Sequence, residues 1–259
     1  MIKAIIFDVD GTLSETEEVH REAFNSAFKE KGIDWNWDQA QYKKLLDVSG
    51  GKERIRHFIE LHARKYLEFD DLDAYIREVH LEKTAQYTQL VQDGRASLRP
   101  GVRRLIRDAA SQGMRLAIAT TTSVPNVEAL LESAYGDEGM GLFEVICAGD
   151  SVPAKKPAPD IYLDALDQLS LNANECIALE DSRNGLLSAT SAGIATIITP
   201  GIYTDDQCFD EAACVVEDLA ALSLEELISA AQPDRGKSDS DAENRKGNTG
   251  CLKYELWYG

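Results

Sequence analysis

Long hydrophobic runs are missing from these 259 residues. No stretch approaches the roughly 20 apolar residues that cross a bilayer, so a membrane-spanning helix is not expected. Positive charge is also scarce, with lysine and arginine totalling 27 against 45 aspartates and glutamates, a formal net charge of -18. That balance disfavours nucleic acid and anionic membranes as partners, and it repels a phosphate ester at long range unless local cations are supplied. The five cysteines (Cys147, Cys176, Cys208, Cys214 and Cys251) are odd in number and scattered, without a C-x-x-C pair. Neither a disulfide framework nor a cysteine zinc site is expected, and reduced thiols are the default. His57 and His62 are five residues apart, unlike the i, i+4 pair of a helical zinc motif. Met1-Ile2-Lys3-Ala4 leads directly into the first predicted strand, which leaves no room for a signal or transit peptide. The expected location is the cytoplasm, or the plastid stroma if the chain is plastid-encoded.

Residues 2 to 7 form a short β-branched and aromatic run, the pattern of a strand buried on both faces. It stops in Asp8-Val9-Asp10-Gly11-Thr12. Two carboxylates two residues apart on an extended chain share a side, and their repulsion calls for a cation or for protonation of one acid. A hard divalent ion such as Mg2+ suits oxygen ligands of this kind and keeps water and substrate phosphate in its shell. An isolated D-x-D is also compatible with an ordinary capping turn.

Apolar positions Val19, Ala23, Phe24, Ala27 and Phe28 predict a helix over 15 to 31 that stops at Gly32. Further helices are predicted near 38 to 46, 51 to 66 and 71 to 90, with no strand among them. After Arg99-Pro100-Gly101 the pattern alternates. Helices 102 to 112, 125 to 134, 158 to 168 and 184 to 192 separate strands 115 to 120, 143 to 147, 176 to 179 and 194 to 198, with a short strand near 213 to 216. Such alternation implies parallel βαβ units, hence an α/β fold with a doubly wound, Rossmann-like parallel sheet and an inserted all-helical cap. The expected organisation is a catalytic core of residues 1 to 14 and 95 to 232, with a cap of residues 15 to 94. Residues 233 to 250 hold one aliphatic side chain, Ala242, so disorder is expected in a tail reaching 259. Gly236-Lys237-Ser238 lacks the preceding strand and first glycine of a phosphate-binding loop.

Three more strand ends carry chemistry. Leu116 to Thr120 ends in the hydroxyls Thr120, Thr121 and Thr122 before a helix, where hydroxyl and N–H groups hold phosphate oxygens. Lys155-Lys156-Pro157 precedes a proline-led helix start. Ile177 to Leu179 ends in Glu180 and Asp181, a supply of further metal ligands. The ordered set D-x-D-G-T, Thr, Lys-Pro and Glu-Asp resembles the haloacid dehalogenase superfamily from residue 2 to about 230. The resemblance implies an aspartyl-phosphate formed on Asp8, with Asp10 as general acid and then base, also binding Mg2+ through its backbone carbonyl. It implies that Thr120 and Lys156 hold the transferring phosphoryl group and that Asp181 ligates the metal with Glu180 in support.

Thr16-Glu17-Glu18-Val19-His20 and Ser49-Gly50-Gly51-Lys52-Glu53-Arg54 resemble the cap signatures of the β-phosphoglucomutase branch and, more closely, of CbbY-type xylulose-1,5-bisphosphate phosphatases. On that resemblance Glu17 and His20 contact the sugar or the Asp10 side, and Gly50, Gly51, Lys52 and Arg54 serve a distal phosphate. Thr121 and Thr122 contact substrate, Ser123 and Asn126 add weaker contacts, and Lys155 is solvated. The expected enzyme is an Mg2+-dependent phosphatase of a small sugar phosphate. The named substrate is xylulose-1,5-bisphosphate, an inhibitor of Rubisco, which places the enzyme beside the Calvin cycle; no nucleic-acid or membrane partner is implied, and a monomer is assumed. A phosphosugar mutase uses the same aspartyl-phosphate, and a phospho-acceptor signalling or phosphate-sensing module is the alternative from another class.

Overall fold

A computed structural model of the chain describes residues 1–232. The tail expectation for 233 to 259 lies outside the described residues. Strand β1 (Ala4–Phe7) is fully buried, as its unbroken apolar text requires. It runs parallel to both β2 (Arg115–Thr120) and β4 (Cys176–Glu180). With β3 (Val145–Ala148), β5 (Ala195–Ile198) and β6 (Cys214–Val215) they form a six-stranded sheet, all pairs parallel, in the order β3-β2-β1-β4-β5-β6.

The period-2 alternation of β1 splits the sheet's two cores. Ile5 and Phe7 face a cluster shared with α5 (Val102–Ser111), α6 (Val124–Tyr135) and α9 (Leu224–Ala231). Ala4 and Ile6 face the opposite cluster, with α7 (Asp160–Leu169) and α8 (Arg183–Ser191). The doubly wound expectation is therefore met, with one addition: α9 has no counterpart in the predicted elements. It carries a Ser223/Glu226 capping box, a local signal for a helix start.

Between β1 and α5 the chain is helical: α1 (Glu17–Glu30), α2 (Gln39–Leu45), α3 (Gly51–His62) and α4 (Leu72–Gln92). The helix predicted over 51 to 66 ends at His62, and a 3₁₀ turn follows over Arg64–Glu68. Phe24, Phe28, Trp37, Tyr42, Ile55, Phe58 and Val79 form a separate apolar cluster inside this insert, joined by Tyr203 from the loop after β5. The two connecting segments lie side by side. Ser14 bridges to Leu98, Ser14 Oγ donates to the Ser97 carbonyl, and the Arg99 amide donates to the Leu13 carbonyl.

Candidate active site

The carboxyl ends of β1, β2 and β4 converge on one crevice, where strand order reverses about β1. Lys156 is its centre. The buried ammonium donates to Asp8 Oδ1 at 2.7 Å, Glu180 Oε1 at 2.6 Å and the Ala119 carbonyl at 2.9 Å, which uses all three of its N–H groups. Tyr162 donates to the same Glu180 oxygen at 2.7 Å. Asp8, Glu180 and Asp181 each bring a carboxylate oxygen within 4.8 Å of the others. Glycines make this approach possible. A Cβ at Gly11, where φ is +82°, would overlap the Asp181 carboxylate, and one at Gly185 in α8 would overlap that of Glu180.

Three buried acids against one ammonium leave negative charge without compensation. Burial pushes the Asp8 carboxyl up to about 8, with Lys156 opposing and Glu180 adding to the rise. Burial also drives Asp181 well above the carboxylate range, reinforced by Asp8 and Glu180. For Lys156 burial acts downward, but Asp8 and Glu180 outweigh it and keep the ammonium charged. An all-oxygen cluster with excess negative charge is the donor set of a hard divalent cation.

Asp10 does not share that cluster. Its Oδ1 accepts from the Thr16 hydroxyl at 2.6 Å and lies 2.8 Å from His20 Nε2. His20 Nδ1 in turn lies 2.6 Å from the Lys83 ammonium of α4. Because an ionised carboxylate can only accept, Nε2–H donates to Asp10. Burial alone would raise the Asp10 carboxyl, but the charge and hydrogen bond of His20, the Thr16 hydroxyl and the Lys83 charge hold it well below the usual range. The repulsion expected of the D-x-D pair is thus relieved by giving each acid its own partners. The chain turns just after Asp10, with the Gly11 amide donating to the Ser14 carbonyl.

A cavity of about 470 Å³ lies over these groups. Asp8, Asp10, Thr120, Lys156 and Asp181 face it from the sheet side, with Thr121, Thr122 and Ser123 from the turn into α6. Glu17, His20, Gly50, Gly51 and Arg54 face it from the insert. Glu180 lies beneath, fully buried. Asn126 donates to Thr122 Oγ1 at 2.9 Å, and its buried Oδ1 has no partner among the described residues. Lys52 falls elsewhere. It pairs with Asp150 from the loop after β3 and lines an adjoining cavity of about 390 Å³. Nor is Lys155 solvated: its ammonium reaches the Gly149 carbonyl and, at 2.8 Å, Asp150.

Residues 2–193 match the family model of the haloacid dehalogenase-like hydrolases. The chain belongs to this family. It is a sugar-phosphate phosphatase of the haloacid dehalogenase type. It is similar to the protein CbbY of Cereibacter sphaeroides, 46% identical over 222 residues, covering 86% of this chain and 94% of that one. A crystal structure of CbbY from Rhodobacter sphaeroides in complex with xylulose-1,5-bisphosphate superimposes with a TM-score of 0.82 at 46% identity, covering 88% of this chain and 99% of that one. A β-phosphoglucomutase from Clostridium difficile shares the fold, with a TM-score of 0.74 at 22% identity, over 90% of this chain and 98% of that one.

Sequence reasoning passed over four residues of this site. Lys83 interrupts the buried stripe Ile76, Val79, Lys83, Tyr87, Val91 of α4, and a lysine at the core spacing of a helix is itself a signal. Thr16 reads in the sequence only as the start of a helix signature. His80, whose imidazole burial and the Lys83 charge push down to about 3, forms part of the cavity wall against Gly51. Tyr162 reads as an ordinary core position of α7 and offers no local signal.

Proposed function

We propose that this enzyme removes one phosphate from xylulose-1,5-bisphosphate, giving xylulose 5-phosphate, through a phosphoryl group carried on Asp8. The observation that carries the reading is the separation of two acids in one cavity: Asp8 fixed by Lys156, and Asp10 fixed apart from it by Thr16 and His20. Covalent catalysis on a phosphate ester needs both a nucleophile and a proton carrier for the leaving oxygen. An Asp8 oxygen attacks phosphorus as the bond to the sugar oxygen breaks, and Asp10, first loaded with the proton of the His20 Nε2–H hydrogen-bonded to it, delivers that proton to the leaving oxygen. Asp10 then accepts a proton from water as the water oxygen attacks phosphorus, releasing phosphate and restoring Asp8. Lys156 and the Thr120 hydroxyl stand where charge builds on the phosphoryl oxygens. Asp8 and Asp181, with Glu180 in support and the Asp10 backbone carbonyl beside them, would hold Mg2+, which when bound neutralises phosphoryl charge.

Substrate choice falls to the insert acting as a cap. Arg54 is a buried cation on the cavity wall and suits the second phosphate, while Glu17 suits a sugar hydroxyl. The resemblance to CbbY proteins over most of the chain, one of them crystallised with this bisphosphate, supports the substrate. The test supplies xylulose-1,5-bisphosphate with and without Mg2+ to the wild type and to Asp8→Asn. Expected is Mg2+-dependent release of one phosphate by the wild type and none by the variant. Isomerisation without phosphate release, or turnover by Asp8→Asn, refutes the reading.

A further inference from the structure

Tyr42 stands behind the cavity wall rather than on it, yet its hydroxyl touches two groups that face the cavity. Its ring is fully buried, against Trp37 and Phe24 of the insert and, edge to face at 5.8 Å, against Tyr203 of the core. The hydroxyl donates to Glu17 Oε2 at 2.9 Å and accepts from Arg54 Nη1 at 2.9 Å. These three residues come from the first turn of α1, from α2 and from the first turn of α3, so the oxygen is the point where three helices of the insert are tied together. A phenol is suited to this place, because it donates to a carboxylate and accepts from a guanidinium at once.

Arg54 is held at two further points: Nε donates to the Leu45 carbonyl at 3.2 Å and Nη2 to the Val48 carbonyl at 3.3 Å. Three of its five N–H groups are thereby committed, and the guanidinium lies 5.2 Å from the Tyr42 ring centroid. The remaining donors sit on a group that cannot swing. A carboxylate and a guanidinium bridged by one hydroxyl are also kept from collapsing into a direct ion pair, which would consume the donors that a phosphate needs.

We infer that Tyr42 is a positioning residue for specificity. Its hydroxyl holds Arg54 and Glu17 at the spacing that recognises a ligand with a second phosphate beyond the reacting one. This rests on the sugar-bisphosphate reading above, and its test separates the two. Wild type and Tyr42→Phe are compared on a pentulose 1,5-bisphosphate and on the matching pentulose 1-phosphate, which lacks the second phosphate. The expected result is a fall of about tenfold in the variant's preference for the bisphosphate, expressed as the ratio of kcat/KM values and carried mainly by KM. The same substitution in an Arg54→Met background is expected to change that ratio less than twofold. An equal loss on both substrates, an unchanged ratio, or failure of Tyr42→Phe to fold overturns the inference, since each assigns the hydroxyl to the fold alone. If the wild type hydrolyses neither substrate, the functional reading fails instead.

Discussion

Lys83 is the most heavily penalised cation of the site. Burial lowers its ammonium to about 7, although the Asp10 and Glu17 charges pull the other way, and Arg54 adds repulsion. In the unfolded chain a lysine stays protonated to about 10.4. Between about pH 7 and that value the unfolded state binds more protons, so the stability contributed at this site rises with pH, while below pH 7 the full cost of the buried charge is felt. The expected outcome is that Lys83→Met is most favoured over wild type below pH 7 and loses that advantage towards pH 10, read from urea unfolding at several pH values. A difference that does not move with pH would refute the assignment. Gly185 gives a second test, in which two effects have opposite signs. Alanine in a helix interior normally stabilises by about 0.5–1 kcal/mol, but here its Cβ meets the Glu180 carboxylate. Gly185→Ala should therefore lower the melting temperature, and a rise would show that Glu180 moves aside freely.

At the scale of elements, the insert is held by aromatic packing among its helices. Trp37 lies in the extended link between α1 and α2, fully buried, with Phe24, Phe28 and Phe58 within 4.7 to 5.3 Å of its ring. Asn25 of α1 clamps its backbone, accepting from the Trp37 amide at 2.7 Å and donating to its carbonyl at 2.9 Å. Trp37→Ala should cost about 3–5 kcal/mol, the range for a buried aromatic, measured as a shift of the urea midpoint. A change below about 1 kcal/mol would mean that this cluster is not a core. The insert's rigidity matters to the site because Glu17, Tyr42 and Arg54 each ride on a different helix of it.

At the scale of the molecule, insert and sheet domain share an apolar seam, with Val19, Ala23, Tyr87 and Val91 of the insert packed in one cluster with Val127 and Leu130 of α6, and polar contacts stand beside it. Lys52 pairs with Asp150, Asn184 donates to the Asp47 carbonyl at 3.1 Å and to Ser49 at 3.2 Å, and Tyr203 donates to Glu18 at 2.5 Å. The exposed ones among them contribute little each, so it is the apolar seam together with a ligand spanning both sides of the cavity that governs closure. Removing three of the polar contacts in an Asp150→Ala, Asn184→Ala double variant should enlarge the radius of gyration in small-angle scattering without substrate and leave a larger contraction on adding it. Identical radii in all four states would rule out a moving insert.

The strands, the helical insert and the four strand-end motifs were legible from residue order alone, because each depends on local periodicity. A short apolar run buries as a strand, and polar groups at its carboxyl end emerge at the edge of a parallel sheet. Asp8, Asp10, Thr120, the Lys155-Lys156 pair, Glu180 and Asp181 could be named on that basis, and the choice of Lys156 came from the family resemblance. Which of them touch was settled only by tertiary packing. Spacing suggested that Asp8 and Asp10 share a counter-charge, and the fold instead gave Asp10 to His20, whose other nitrogen meets a lysine 63 residues further along the chain. Lys52 and Arg54 looked alike as neighbouring cations. One turned outward to Asp150 and the other inward to Tyr42, because positions two apart on a helix point to different faces. Local pattern decides where chemistry can emerge, but desolvation and hydrogen bonding between distant segments decide which groups work together.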